Sequence, residues 1–139
     1  MIRRVAREMV LQSLFQVDFS NVEPEAALEA ALAEQETGEA KKAYAYAETV
    51  LKGTLAHLEE IDGLIGKYAV KWNLERMAAI DRSILRMAVY EMRFAEEKVP
   101  VNIEINEAVE LAKEFGEEQS SRFINGVLGA MMREEPAAE

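Results

Sequence analysis

An all-α fold is predicted by three observations. Apolar residues recur at helical spacing through most of the chain, and the strong helix formers Ala, Leu and Glu dominate it. Only three prolines and seven glycines interrupt the 139 residues. Half the residues are apolar and 30% are charged, the balance of a globular chain and not of a disordered one. The length suits one domain, or two small helical halves that share a core.

The first helix is expected from about Arg4 to Phe19, where Ala6, Val10, Leu14 and Val17 make one stripe with Met9 beside it. Leu11, Phe15 and Phe19 repeat every four residues on nearly the opposite side. A helix that is apolar on two sides is either deeply buried or turns one side to a core and the other to a partner. Ser20 to Pro24 reads as a break, with Asn21 or Ser20 as cap and Pro24 in the first turn of the next helix. That helix, about Glu25 to Gln35, carries Ala27, Leu28, Ala31 and Leu32 and ends at Thr37-Gly38. A third runs from about Glu39 to Tyr68 on a stripe that includes Tyr44, Ala47, Leu51, Leu58 and Ile65. Gly53, Gly63 and Gly66 are the points where it is open to division.

The second half begins near Trp72-Asn73-Leu74. Ile80, Ile84, Leu85, Ala88, Val89 and Met92 then give the cleanest amphipathic helix. After a charged loop from Glu96 to Pro100, Asn102 is the expected cap of a helix striped by Ala108, Leu111, Ala112 and Phe115 and closed by Gly116. Val101 to Ile105 alternates like a strand, but a single short strand has no partner, so helical or extended backbone is expected there. Ser120 is the expected N-cap of the last helix, with Ile124, Val127, Leu128 and Met131 inward, and the tail from Glu134 to Glu139 is expected to fray.

Several function classes are poorly supplied. There is no cysteine, which removes disulfides, thiolate metal sites and thiol chemistry. The one histidine, His57, sits in a helical stretch without a triad pattern, and a lone helical histidine is far more often structural than catalytic. Glu104, Glu107, Glu110 and Glu114 stand at helical spacing and read as a solvated face. No Glu-x-x-His pair or Gly-rich phosphate loop occurs. No catalytic residue, metal site or cofactor is therefore expected. The start MIRRVAREMV lacks the apolar core of a signal peptide, and no apolar run approaches the roughly 20 residues of a membrane span, so a cytoplasmic location is expected.

Binding is the remaining class. The formal charge of −10 argues against a nucleic-acid ligand, yet the charge is segregated. Met1 to Val17 holds three arginines and one glutamate, whereas Asp18 to Ala40 holds seven acids and no base. Arg3, Arg4 and Arg7 open the first helix, where free N–H groups and the positive dipole end favour phosphate. A basic start without a ligand is the alternative. Ser120-Ser121-Arg122-Phe123 is the second candidate. Phe123 lies at the border of its stripe, placed either to wedge beneath a neighbouring helix or to stack on an unpaired base, and burial is the commoner outcome. Tyr68 beside Lys67 is a similar pairing of aromatic and cation.

Together these positions carry a pattern that resembles the NusB family of transcription antitermination factors. It rests on Arg4, Ala6, Arg7 and Glu8 with Leu14-Phe15, and on Ile84-Leu85-Arg86, Ala88 and Tyr90-Glu91. The most specific block is Pro100-Val101, the run from Ile105 to Lys113 with Phe115-Gly116, and then Ser120, Arg122-Phe123-Ile124-Asn125-Gly126-Val127-Leu128. The resemblance spans about residues 3 to 132, weakly between Asp18 and Ala40. It implies one all-α domain over residues 1–139, about seven helices in two small bundles (about 1–70 and 71–134) packed crosswise, and no enzymatic activity. It also implies that the chain pairs with NusE, a small-subunit ribosomal protein. The pair then binds boxA RNA within the RNA polymerase antitermination complex, notably on ribosomal RNA operons.

Carried onto this sequence, the RNA face would be Arg3, Arg4, Arg7, Lys67, Tyr68, Gln119, Ser120, Arg122 and Phe123. The NusE face would be Phe15, Glu75, Arg76, Asp81 and Arg82. Phe15 stands where the family often has Tyr, and Gln119 where an acid occurs. The short basic start on an acidic protein implies weak, salt-sensitive RNA binding that the basic partner strengthens. Three rivals accompany this reading: a NusB-like domain fused to an RNA cytosine methyltransferase, a protein-only interaction module or homodimer through the second face of the first helix, and a small enzyme. No methyltransferase sequence follows Glu139, so the free-standing factor is the expectation.

Overall fold

The computed structural model describes residues 2–35, 38–69 and 73–134. Seven α-helices form among them: α1 (Ile2–Ser20), α2 (Pro24–Glu34), α3 (Glu39–Ala56), α4 (Leu58–Tyr68), α5 (Ala79–Val89), α6 (Val101–Phe115) and α7 (Ser120–Arg133). A 3-10 turn (Leu74–Arg76) precedes α5, and a π-helical turn (Tyr90–Phe94) extends it. The helix end expected at Thr37, the restart expected at Trp72 and the tail after Glu134 lie outside the described residues. The alternating segment from Val101 to Ile105 is the helical opening of α6.

Burial follows the stripes. In α1, Ala6, Met9, Val10 and Leu14 are buried against α2, α3 and α5. α5 joins the two halves: it packs on α1, α3, α4, α6 and α7, and Ile84, Leu85, Ala88 and Val89 have no exposed surface. A single apolar core therefore includes residues from all seven helices. Each of the larger aliphatic side chains contributes roughly 1.5–3 kcal/mol by leaving water, and α5, buried along most of its length, occupies the middle.

Where the structure departs from expectation, the reason is local. The long third helix is divided at His57 and not at a glycine. His57 leaves helical geometry (φ −108°, ψ 19°), and its ring stacks on Phe94 at 4.8 Å. Gly53 instead gives room to Tyr90, whose ring lies 2.3 Å from where a Cβ would stand. Neither Ser20 nor Asn21 caps α2. Ser20 ends α1, Asn21 takes a left-handed turn (φ 56°), and Glu23 holds the cap position before Pro24. Asn102 lies inside α6, because Pro100 already occupies its cap. Phe115 of the α6 stripe is 43% exposed.

Ser120 is the first residue of α7 and not its cap, which is Gln119. Its hydroxyl turns back to accept the Glu117 N–H at 2.9 Å, closing the corner between α6 and α7. Gly116 makes that corner tight. A Cβ there would lie 2.7 Å from the Ser120 Cβ and 2.8 Å from the Ala112 carbonyl oxygen. Gly116→Ala is therefore expected to push α6 and α7 apart and to cost about 1–3 kcal/mol, read as a lower urea midpoint. An unchanged midpoint would show that the corner yields freely.

Candidate nucleic-acid and partner interface

The three N-terminal arginines share a helix turn but not an environment. Arg3 is exposed, with its guanidinium 4.8 Å from the centre of the Tyr46 ring. Arg4 lies between Glu8 at 3.5 Å and Glu114 at 3.1 Å. Arg7 is 3% exposed. Its Nε and Nη2 donate to the two oxygens of Glu91 at 2.9 and 3.3 Å, and its Nη1 donates to Glu107 at 3.3 Å. Glu104 stands 3.8 Å from its Nη2, and the Tyr46 hydroxyl donates to Glu91. The expectation that Arg7 takes a phosphate is corrected. Its fork is filled by carboxylates of α6 and the π turn, and α1 is pinned to them.

Two further expectations meet burial. Tyr68 is 3% exposed and its ring belongs to the core, with the Lys67 ammonium 5.4 Å from the ring centre. It has no open face for a base, whereas Lys67 is exposed. Ser120 is equally buried at the α6–α7 corner. Gln119 and Arg122 are exposed, and Phe123 is half-buried against the core.

These residues line a groove of about 830 Å³ between the segment before α5 and the start of α7. Its walls are Arg76, Met77, Ala78 and Asp81 on one side and Glu117, Glu118, Gln119, Ser120, Arg122 and Phe123 on the other. Asp81 is 9% exposed within the groove, and its Oδ1 has no hydrogen-bond partner among the described residues. Burial pushes its carboxyl above the ordinary range; the Ser120 hydroxyl opposes the shift and Glu117 adds to it. Arg4 reaches Glu114 in the last turn of α6, so the starts of α1 and α7 flank one end of α6. Arg4 and Glu114, 110 residues apart, are thereby brought together.

A second groove of about 580 Å³ is lined by Asp18, Asp62, Asn73, Leu74, Glu75, Arg82 and Arg86. It holds Glu75 and Arg82 of the expected partner face, whereas Arg76 and Asp81 line the first groove. Arg86 pairs with Asp62 at 2.8 Å and with Asp18 at 3.4 Å; burial, the largest single effect, lowers its pKa, but the two carboxylates together outweigh it and the net shift is upward. Phe15 is half-buried and stacks on Phe19 at 5.3 Å; Phe19 is 73% exposed. The sequence assigned no binding role to Asp18, Asp62 or Arg86, and offered Phe19 only as part of the second apolar line of the first helix. Asp18 opens a long acidic run that hides it, and nothing in the sequence pairs it with α5. Among the described residues no cluster of His, Asp or Glu fits a metal ion, and no helix is long and apolar enough to cross a membrane.

The chain matches known proteins over nearly its whole length. The family model described as the NusB family matches residues 4–133. A transcription antitermination protein NusB from Bacillus licheniformis is 48% identical over 128 residues, which is 92% of this chain and 94% of that protein. The solved structure of T. maritima NusB is 37% identical, covers 98% of this chain and 94% of its own, and superposes with a TM-score of 0.83. A crystal structure of the antitermination factors NusB and NusE in complex with dsRNA superposes with a TM-score of 0.82 at 27% identity, covering 96% of this chain and 97% of that one. With a family match across 130 residues and a fold shared end to end, the chain belongs to the NusB family.

Proposed function

We propose that this chain is a non-catalytic, cytoplasmic transcription antitermination factor. It binds boxA RNA together with NusE and supports processive transcription of ribosomal RNA operons by RNA polymerase. The observation that carries the reading is the near-complete match to proteins named for antitermination, one of them solved with NusE and dsRNA. The first groove supplies the chemistry that such a role needs. Arg76 and Arg122 offer charge to phosphates, Phe123 offers a ring edge, and Arg3 and Arg4 extend the cationic surface past the end of α6. Lys67 and Gln119 are further RNA contacts in this reading. Phe15, Phe19 and Glu75 form the NusE face, with the aromatic pair as its apolar anchor, and Arg82 holds the turn that carries Glu75.

These cations are few, and acids stand among them. RNA binding by the chain alone is therefore expected to be weak and to fall steeply as salt rises, with a log–log slope of about −0.7 per phosphate contacted. NusE is expected to tighten it by about tenfold or more through linked binding. Fluorescence anisotropy with labelled boxA RNA, with and without NusE, tests both statements. Affinity indifferent to NusE and to salt would count against them.

A protein-only interaction module is the second reading, favoured by the exposed Phe15–Phe19 stack. Replacing Arg3, Arg4 and Arg122 with alanine separates the two. The RNA reading expects lost boxA binding with NusE binding retained; unchanged boxA binding favours the protein-only role. Arg7 is left out of that variant because its loss acts on the fold.

A further inference from the structure

The turn between Asn73 and Ala78 belongs to both grooves. Arg76 and Met77 wall the first, and Leu74 and Glu75 wall the second. From within, the turn is tied by short-range bonds: Asn73 Oδ1 accepts the Glu75 N–H at 2.8 Å, and the Asn73 carbonyl accepts the Arg76 N–H at 2.9 Å. A three-residue 3-10 turn closed by such bonds is weak by itself. Its outer support is Arg82. Nη1 donates to the Leu74 carbonyl at 2.7 Å and to the Met77 carbonyl at 3.2 Å. Nε and Nη2 donate to Asp18 Oδ2 at 3.0 and 2.5 Å.

The guanidinium thus grips the turn on both sides of Glu75 and Arg76 and anchors it to the end of α1. Its side chain is 16% exposed. Most of its five N–H donors are spent inside the protein, so it has little left to offer a ligand. Glu75 and Arg76 are exposed and adjacent in sequence, yet they open into different grooves. A ligand that orders either residue therefore acts on the backbone that carries the other.

We propose that Arg82, with Asp18, is a positioning residue: it sets the 73–78 turn so that occupancy of the partner groove and occupancy of the RNA groove are coupled. This rests on the function proposed above. Coupling of this kind is reciprocal, so NusE tightens RNA by the same factor as RNA tightens NusE. Its physical source is that Arg82 makes the turn move as one piece: the ligand that settles Glu75 or Arg76 carries the other residue with it, and the second ligand meets that residue already placed.

The test measures, for the full chain, the Kd of NusE with and without saturating boxA RNA and the Kd of boxA RNA with and without saturating NusE. The wild type is expected to show equal coupling factors in the two directions, of about tenfold or more. Arg82→Ala is expected to bring that factor to within about twofold of one and to speed amide exchange at Arg76 and Met77. Asp18→Asn, which leaves both carbonyl bonds in place, is expected to lose less. Arg82→Lys is expected to recover part of the coupling, because one ammonium group cannot serve both carbonyls and Asp18. Should Arg82→Ala fail to fold, Arg82→Lys and Asp18→Asn carry the same measurement.

A direct contact between Arg82 and the partner predicts something else: weaker NusE binding with the coupling factor intact. That result overturns the proposal, as does a wild type without coupling. Absence of any boxA binding by the wild-type pair overturns the antitermination reading itself, and the two failures are thereby distinct.

Discussion

Arg7→Met is expected to lower stability by about 3–5 kcal/mol, because it strips the one buried cation from a cluster of buried acids. Glu91 has no exposed surface and Glu104 has 1%, and both face the Arg7 guanidinium. Methionine fills much of the volume but leaves the Glu91 carboxylate without its two charge-assisted bonds. The loss is a large share of the roughly 5–15 kcal/mol that holds a domain of this kind together. At about 3–4 °C per kcal/mol, thermal melting should fall by roughly 10–20 °C. Arg7→Lys keeps the charge without the fork and should fall between the two. Arg3→Ala is the control: its side chain is exposed, so melting should stay put while RNA affinity drops. A melting temperature for Arg7→Met within about 3 °C of wild type would remove Arg7 from the core and return it to the binding surface.

That contrast marks where sequence reading stops. Arg3, Arg4 and Arg7 look alike in the sequence, since each is a cation in the first turns of one helix. What separates them lies far along the chain: the partners of Arg7 are 84 and 100 residues away. Periodicity locates apolar stripes because apolar burial is non-directional and repeats along the helix. A buried ion pair leaves no such trace, because either charge alone reads as surface. Glu104 and Glu107 read as a solvated face for that reason, yet Glu104 is buried and Glu107 bonds Arg7. Tyr68 shows the reverse error, an aromatic beside a lysine that packs into the core.

The second apolar line of α1 was legible but ambiguous, and both readings hold at different points along it. Leu11 is 2% exposed, Phe15 is half-buried, and Phe19 is 73% exposed. Extended one turn back, the same line begins at the buried Arg7. The face thus leaves the core gradually and emerges beside Asp18, next to the turn that Arg82 holds. Position along the helix decides burial here as much as the side of the helix does, and a stripe alone reports only the side.

Glu104→Gln should stabilise the protein at neutral pH. Two buried carboxylates, Glu91 and Glu104, share one guanidinium. Glu91 is the better placed as the anion, since it accepts two bonds from Arg7 and one from Tyr46. Glu104 is only in ionic contact with Arg7 at 3.8 Å, and its Oε1 has no hydrogen-bond partner among the described residues. Burial, then repulsion from Glu91, pushes its carboxyl from the ordinary 4.5 up to about 9; Arg7 opposes the rise, and a hydrogen bond with Glu91 and the charge of Glu107 add to it. The folded state therefore keeps a proton that the unfolded chain releases near pH 4.5. Stability from this group is fully present below pH 4.5 and is lost progressively as pH climbs towards about 9. Between pH 4.5 and 7 that loss is on the order of 3 kcal/mol at 1.36 kcal/mol per pH unit. Glutamine has the shape of the protonated acid and holds no proton to lose. The stability difference between Glu104→Gln and wild type should accordingly be small near pH 4.5, favour the variant by roughly 2–3 kcal/mol at pH 7, and widen further towards pH 9. Urea denaturation at several pH values reads that slope directly. A difference that does not change with pH would mean that Glu104 is ionised in the folded protein, with Arg7 neutralising both carboxylates at once.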